Sequence, residues 1–251
     1  MSRLTLSWEE GKATFGAWVT SYSEAAVEVL GRAGYDYIGV DCQHTLVAES
    51  DAGRLIQPLV TAGVPTAVRV SRNDPALIGR VADAGADVVI VPLVDTPDQA
   101  AAAVAACRYP PKGVRSFGPI NATMGFDTLF LEERVRCFVM IESAEAIANL
   151  EAICATPGLG GVYVGPGDLS ISMGTSWLQR PRPAEVMDAI ASVPPACRAA
   201  GIVPAMHAGS GALAAELIAL GFRMVTLMSD AGLLGSGAAR DLAAAREAPP
   251  T

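Results

Sequence analysis

The feature that most restricts the fold is a repeated alternation of short, β-branched apolar runs with Ala/Leu-rich helical stretches. Eight such runs are read as strands: Thr14 to Val19, Tyr35 to Asp41, Thr66 to Val70, Val88 to Val94, Cys137 to Ile141, Gly161 to Val164, Ile202 to Met206 and Met224 to Met228. A strand that follows an intervening helix re-enters its sheet in parallel, so the alternation implies a parallel sheet. Runs such as VVIVPLV and FVMI show no polar alternation, as suits strands covered on both faces.

Helices are expected at Ser23 to Ala33, Asp51 to Ala62, Pro75 to Ala84, Pro97 to Cys107, Ala144 to Ala155, Pro183 to Ala200 and Gly211 to Leu220. Several close on Ala-Gly or Leu-Gly, as at Ala84-Gly85 and Leu220-Gly221, where glycine takes the left-handed conformation that ends a helix. Eight such units in 251 residues match one (β/α)8 TIM barrel, read as a single domain over residues 1–251. A doubly wound sheet of fewer strands has the same periodicity and is the alternative architecture. Two connections, 108–136 and 166–183, are long and rich in Gly, Pro, Ser and Asn, and are expected to pass over the top of the barrel. The Pro-rich end, EAPPT, is expected to fray.

With 51% hydrophobic and 18% charged residues, the chain can bury a large core. A net charge of -8 without any Lys/Arg run leaves nothing to neutralise a phosphate backbone, which argues against nucleic acid as a partner. No apolar stretch long enough to span a bilayer is free of Gly, Pro or charge, and the segment MSRLTLSWEEGK lacks the apolar stretch of a signal peptide. Five cysteines without a CxxC pair fit a reducing compartment, so no membrane association and a cytoplasmic location are expected.

Active sites of barrels form at the C-terminal ends of the strands, so polar residues there are the candidates. Glu142 directly follows VMI, where burying an unpaired carboxylate is expensive. Asp168 lies in GPGDLS just past the next strand, so two carboxylates are aimed from neighbouring strands. Together they suit a hard divalent ion that keeps open coordination positions; alternatively, Glu142 pairs with Arg69 and Asp168 caps a turn. Arg69, inside AVRV, either faces a carboxylate or enolate oxygen of a substrate or belongs to an internal ion pair. His44, close to Asp41, is a candidate general base or a structural histidine, and for His207 a rim or packing role is favoured. The Gly165-Pro166-Gly167 turn either admits a substrate carboxylate closely or serves the turn alone.

These residues resemble the HpcH/HpaI aldolase family, the metal-dependent class II pyruvate aldolases built on a (β/α)8 barrel. The resemblance spans nearly the whole chain: GAW at Trp18, AGYDYIGVDCQH, VRVSRNDP, VPLVDTPDQA, RYPPKGVRSFGP, IESAEAIANLEAI and GVYVGPGDLSISMG. It implies that Glu142 and Asp168 ligate a divalent metal, Mg²⁺ or Mn²⁺ foremost with Co²⁺ or Zn²⁺ as further options. Arg69 would then stabilise the enolate of a 2-oxo acid, with His44 moving the proton. Trp18, Asp41, Gly165, Pro166 and Gly167 would bind the substrate. It further implies that Asp83 reaches His44 from a neighbouring subunit, and so a homo-oligomer, a hexamer arranged as a trimer of dimers.

The implied reaction is reversible cleavage of a 4-hydroxy-2-oxo acid to pyruvate or hydroxypyruvate and an aldehyde, its partners being small-molecule 2-oxo acids and aldehydes. The chain departs from the family pattern at Cys42-Gln43, where Gly-Glu is usual, at Met140, where Gln is usual, and at Asn121 to Met124, which lacks the usual arginine. The competing functions are an acyl-CoA lyase for malyl or citramalyl esters, an oxaloacetate decarboxylase and a non-enzymatic metabolite-binding barrel. CoA binding, CO₂ release from oxaloacetate and indifference of turnover to Glu142→Ala would respectively mark them.

Overall fold

A computed structural model describes residues 2–179 and 181–247, so the last residues of the Pro-rich end lie outside the description. Eight parallel strands close into a barrel in sequence order. They are β1 (Thr14–Val19), β2 (Tyr37–Asp41), β3 (Thr66–Arg69), β4 (Val88–Val91), β5 (Arg136–Ile141), β6 (Gly161–Val164), β7 (Val203–His207) and β8 (Met224–Ser229). All eight expected runs are strands, and the pairing of β1 with β8 removes the open-sheet alternative. The fold is the (β/α)8 TIM barrel.

Around it run α1 (Arg3–Glu9), α2 (Glu24–Arg32), α3 (Glu49–Thr61), α4 (Pro75–Ala84), α5 (Pro97–Ala106), α6 (Thr128–Arg134), α7 (Ala144–Ala148), α8 (Leu150–Cys154), α9 (Pro166–Ser172), α10 (Ala184–Ala200), α11 (Gly211–Leu220) and α12 (Asp230–Glu247). Local chemistry sets their starts. Asp74 accepts from the amides of Ala76 and Leu77 ahead of Pro75, and Thr96 with Gln99 forms a reciprocal capping box ahead of Pro97. The expected Ala144 to Ala155 helix is split at Asn149. The short helices α1, α6 and α9 were not legible as periodic apolar runs.

One core lies between strands and helices, and a second fills the barrel interior with Trp18, Tyr37, Phe138, Met140, Tyr163 and smaller residues. Large rings fit there because glycines stand opposite them. A Cβ on Gly39 would lie 2.4 Å from Trp18, and one on Gly161 would lie 2.5 Å from Phe138. Within this interior, the hydroxyls of Tyr37 and Tyr163 each lie 2.7 Å from Thr226 Oγ1.

One expectation fails. Segment 108–136 does not pass over the top, because α5 has already carried the chain back to the N-terminal rim before the segment begins. The amides of Ile120 and Asn121 donate to the carbonyl of Asp83 at 2.9 and 3.3 Å, tying the segment to the lower end of α4. Asn121 to Met124 therefore lie far from the mouth of their own barrel. The described residues of segment 166–183, in contrast, do lie at the top, starting with α9 directly after β6.

The last helix behaves unlike the others. Of the 18 residues of α12 only Asp230 is buried, and Leu234 and Leu242 are exposed. Asp230 anchors its start by accepting from the amide and hydroxyl of Thr20 at 2.9 and 2.7 Å, and from Ser21. Among the described residues, no helix is long and apolar enough to cross a membrane.

Candidate active site

At the C-terminal rim a cavity of about 360 Å³ is lined by Trp18, Arg69, Met140, Tyr163, Gly165, Pro166, Gly167, Asp168, Trp177, Arg182, His207, Ala208 and Gly209. Pleat parity accounts for the strand residues, since side chains two apart on a strand share a face. Ala67 and Arg69, Phe138 and Met140, and Ala205 and His207 are such pairs, the first member in each interior and the second at the mouth.

Glu142 continues the inward row of β5 and is 3% exposed. One oxygen accepts the amide of Leu93 at 2.7 Å. Leu93 has φ 56, a conformation unfavourable for leucine and the single such non-glycine residue among those described. The other oxygen faces Gly165, where an added Cβ would lie 2.5 Å away. No Lys or Arg forms an ion pair with Glu142 among the described residues, although the charge of Arg69 acts on it from a distance. Burial pushes its carboxyl up to about 7 against the opposing Leu93 amide, and the nearby charge of Asp168 pushes in the same direction. Asp168 opens to the cavity from the first turn of α9.

Arg69 is paired with Asp41 and not with Glu142. Its Nε and Nη2 donate to the two Asp41 oxygens at 2.8 and 2.5 Å, a fork-on-carboxylate geometry. Burial alone would raise the Asp41 carboxyl, but Arg69 and the amides of Gln43 and His44 hold it below its usual value. Asp41 is 2% exposed and turned onto the guanidinium, so it orients Arg69 without lining the cavity. Arg69 also lies 5.5 Å above the Trp18 ring, with Nη1 4.0 Å from Met140 Sδ.

A carboxylate pair at the end of adjacent strands, one member buried without a cation, has the donor set that a hard divalent ion takes. Among the described residues, no group of three or more His, Cys, Asp and Glu side chains offers a complete cage. Glu142 and Asp168 would therefore leave positions for water or substrate oxygens.

The remaining candidates do not join this group within one chain. His44 is exposed on the loop after β2 and does not line the cavity. Asp83 lies at the opposite end of the barrel, accepting from Nε and Nη2 of the fully buried Arg115 at 3.1 and 2.6 Å. His207, read from sequence as a rim or packing residue, does line the cavity, with its ring edge-on to Trp18 at 6.0 Å. Parity with Ala205 was the signal for it. Trp177 and Arg182 come from segment 166–183, where no periodicity marks orientation.

The family model for HpcH/HpaI aldolase/citrate lyase matches residues 14–235. The chain is 33% identical to a hydroxypyruvate/pyruvate aldolase of Rhizorhabdus wittichii over 98% of its own length and 99% of that protein's. It is 36% identical to a 4-hydroxy-2-oxovalerate aldolase of Rhodococcus jostii over 90% of its length and 88% of that protein's. A crystal structure of an HpcH/HpaI aldolase/citrate lyase family protein from Burkholderia cenocepacia superposes with a TM-score of 0.90 at 30% identity, covering 98% of this chain and all of the other.

Proposed function

The chain belongs to the HpcH/HpaI aldolase/citrate lyase family, and on that premise we propose that it reversibly cleaves a 4-hydroxy-2-oxo acid into pyruvate or hydroxypyruvate and an aldehyde. It is a carbon–carbon lyase of the aldolase type. The family works with a divalent metal ion; for this chain Mg²⁺ or Mn²⁺, held by Glu142 and Asp168, is the reading that oxygen ligands favour. The observation that carries it is the buried Glu142 carboxylate, which has no ion-pair partner among the described residues, Arg69 being paired with Asp41, and an Asp168 charge nearby.

A bound divalent ion supplies a Lewis acid that polarises the substrate carbonyl. The chain's own residues do the rest. Arg69, locked by Asp41, points its remaining N–H groups at the keto oxygen and stabilises the charge that grows there as the enolate forms. Because the fork is already oriented, little reorganisation accompanies the reaction. Gly165, Pro166 and Gly167 form the surface along which the acid's carboxylate lies, and Trp18 and Tyr163, ring centroids 6.2 Å apart, wall off water. A cavity of about 360 Å³ with Arg69 and Arg182 as its cationic lining suits a small acid and aldehyde better than a CoA ester.

We assign proton transfer at C3 to His44, steered by the partner subunit's Asp83, in a homo-oligomer, a hexamer built as a trimer of dimers. The exposed apolar residues of α12, together with Phe126 and Leu129 beside the lower rim, supply surface for such assembly. Five free, buried cysteines fit the cytoplasm as its location.

The test is pyruvate release from a 4-hydroxy-2-oxo acid, lost with EDTA and restored by Mg²⁺ or Mn²⁺. Glu142→Ala is expected to abolish metal binding and turnover together while leaving the circular dichroism of the barrel unchanged. Inactivation by borohydride with pyruvate would overturn the metal route by revealing a Schiff base; the two lysines, Lys12 and Lys112, both lie outside the cavity.

A further inference from the structure

His207 is the last residue of β7 and turns into the same cavity as Arg69 and Asp168. Neither ring nitrogen has a protein hydrogen-bond partner among the described residues, although the ring is held edge-on to Trp18 and its Nε2 lies 3.9 Å from where a Cβ on Gly209 would stand. Resting on the aldolase reading above, we infer that His207 contacts the second substrate, hydrogen-bonding an oxygen on the carbon next to the aldehyde carbonyl and so selecting α-oxygenated over plain alkyl aldehydes.

Position assigns His207 to the aldehyde and not to the 2-oxo acid. The groups that suit the acid, Arg69, Glu142, Gly165 and Asp168, come from β3, β5 and the turn after β6. His207 stands one strand further on, at the end of β7, with Ala208 and Gly209 following it and Trp177 and Arg182 on the same lining, which leaves it for the second substrate. Chemistry then chooses the ligand class. Burial, with the charges of Arg69 and Arg182, lowers the imidazole to about 4 against the opposing pull of Asp41, so the ring is neutral at physiological pH. A neutral imidazole carries one donor and one acceptor, and a ligand that expels water from either nitrogen must replace the bond lost there. A hydroxyl can donate to or accept from that nitrogen, whereas an alkyl group strands it. A site built to bond a hydroxyl rejects the analogue lacking it far more strongly than an apolar pocket distinguishes size.

The experiment uses the metal-loaded, full-length protein with pyruvate as donor and two pairs of aldehydes, glycolaldehyde against acetaldehyde and glyceraldehyde against propanal. In the parent, kcat/KM is expected to favour the oxygenated member of each pair. His207→Phe, which keeps a ring without nitrogens, is expected to lower kcat/KM for the oxygenated aldehydes by roughly 10- to 100-fold, mainly through KM, and to leave the alkyl aldehydes within about twofold. His207→Asn, which retains a donor and an acceptor, is expected to recover part of the loss. Deuterium exchange at C3 of pyruvate without any aldehyde reports on the donor side and is expected to be unchanged in both variants.

An equal fall for oxygenated and alkyl aldehydes, or loss of the exchange in His207→Asn, would overturn the assignment. Loss of folding in His207→Phe, seen by circular dichroism, leaves the decision to His207→Asn, in which unaltered aldehyde preference and unaltered KM also overturn it. A parent protein that neither exchanges pyruvate deuterium nor forms an aldol would remove the aldolase reading itself, a result distinguishable from failure of the His207 assignment alone.

Discussion

Gly165→Ala isolates the geometry of the carboxylate pair. Gly165 has φ -95 and ψ 89, a backbone that alanine adopts without strain, so the substitution acts through its methyl group. That methyl would stand 2.5 Å from Glu142 Oε2, 2.9 Å from Met140 Cε and 3.0 Å from Glu142 Cβ. The Met140 terminus can swing aside, but the carboxylate is also held at 2.7 Å by the Leu93 amide on its far side. It must therefore retreat by about half an ångström or more to reach ordinary contact. Metal–ligand distances tolerate only about 0.2 Å of error, so the shift uncouples Glu142 from an ion shared with Asp168. The expected result is a 10- to 100-fold weaker Mn²⁺ affinity by calorimetry and a fall of about 100-fold in kcat/KM. The cost in stability should be about 1 to 3 kcal/mol, as for an overpacked interior. Gly167→Ala is the control for metal binding, because nothing lies within 4 Å of its added Cβ. Parent-like Mn²⁺ affinity in a folded Gly165→Ala protein would refute the claim that Glu142 holds the ion.

Other perturbations separate the roles of neighbouring residues. Asp41→Ala strips the fork from a mostly buried Arg69, and a loss of about 3 to 5 kcal/mol by urea titration is expected, together with lower kcat; little change in either would show that Asp41 does not orient the guanidinium. The folded state keeps His207 neutral down to about 4, so its contribution is present above the unfolded histidine value near 6.5 and is lost as pH falls from there toward 4. Relative to the parent, His207→Asn should flatten that decline by on the order of 2 kcal/mol in denaturant titrations run across this window, and parallel curves would contradict it. Leu234→Lys with Leu242→Lys, on exposed positions of α12, is expected to reduce the assembly seen by light scattering without altering the barrel's circular dichroism; unchanged mass would free α12 from a role in association.

Much of the site was legible because strand ends concentrate chemistry. Glu142 stood out as a carboxylate closing the apolar run FVMI, and Asp168 as the acid of a Gly/Pro turn one strand later; both readings needed only local pattern and strand order. The partner of Arg69 was not legible, since Asp41 and Glu142 were both available and the choice depends on which strand is adjacent. The structure sets Asp41 opposite Arg69 across the β2–β3 pair, whereas β5 is two strands from β3. The two histidines separate for a related reason: inward parity on β7 puts His207 at the cavity rim against Trp18, while His44 stands exposed on the loop after β2, outside the cavity of its own chain.

The sequence by itself determined the eight-fold alternation, the strand positions and the identity of the acidic residues, because periodicity, glycine stops and the cost of burying charge act over a few residues at a time. Only the tertiary structure decided that segment 108–136 belongs to the lower rim, that Leu93 bends back to hold Glu142, and that α12 buries little of itself against its own barrel. These depend on contacts between residues tens of positions apart, for which a linear pattern carries no register.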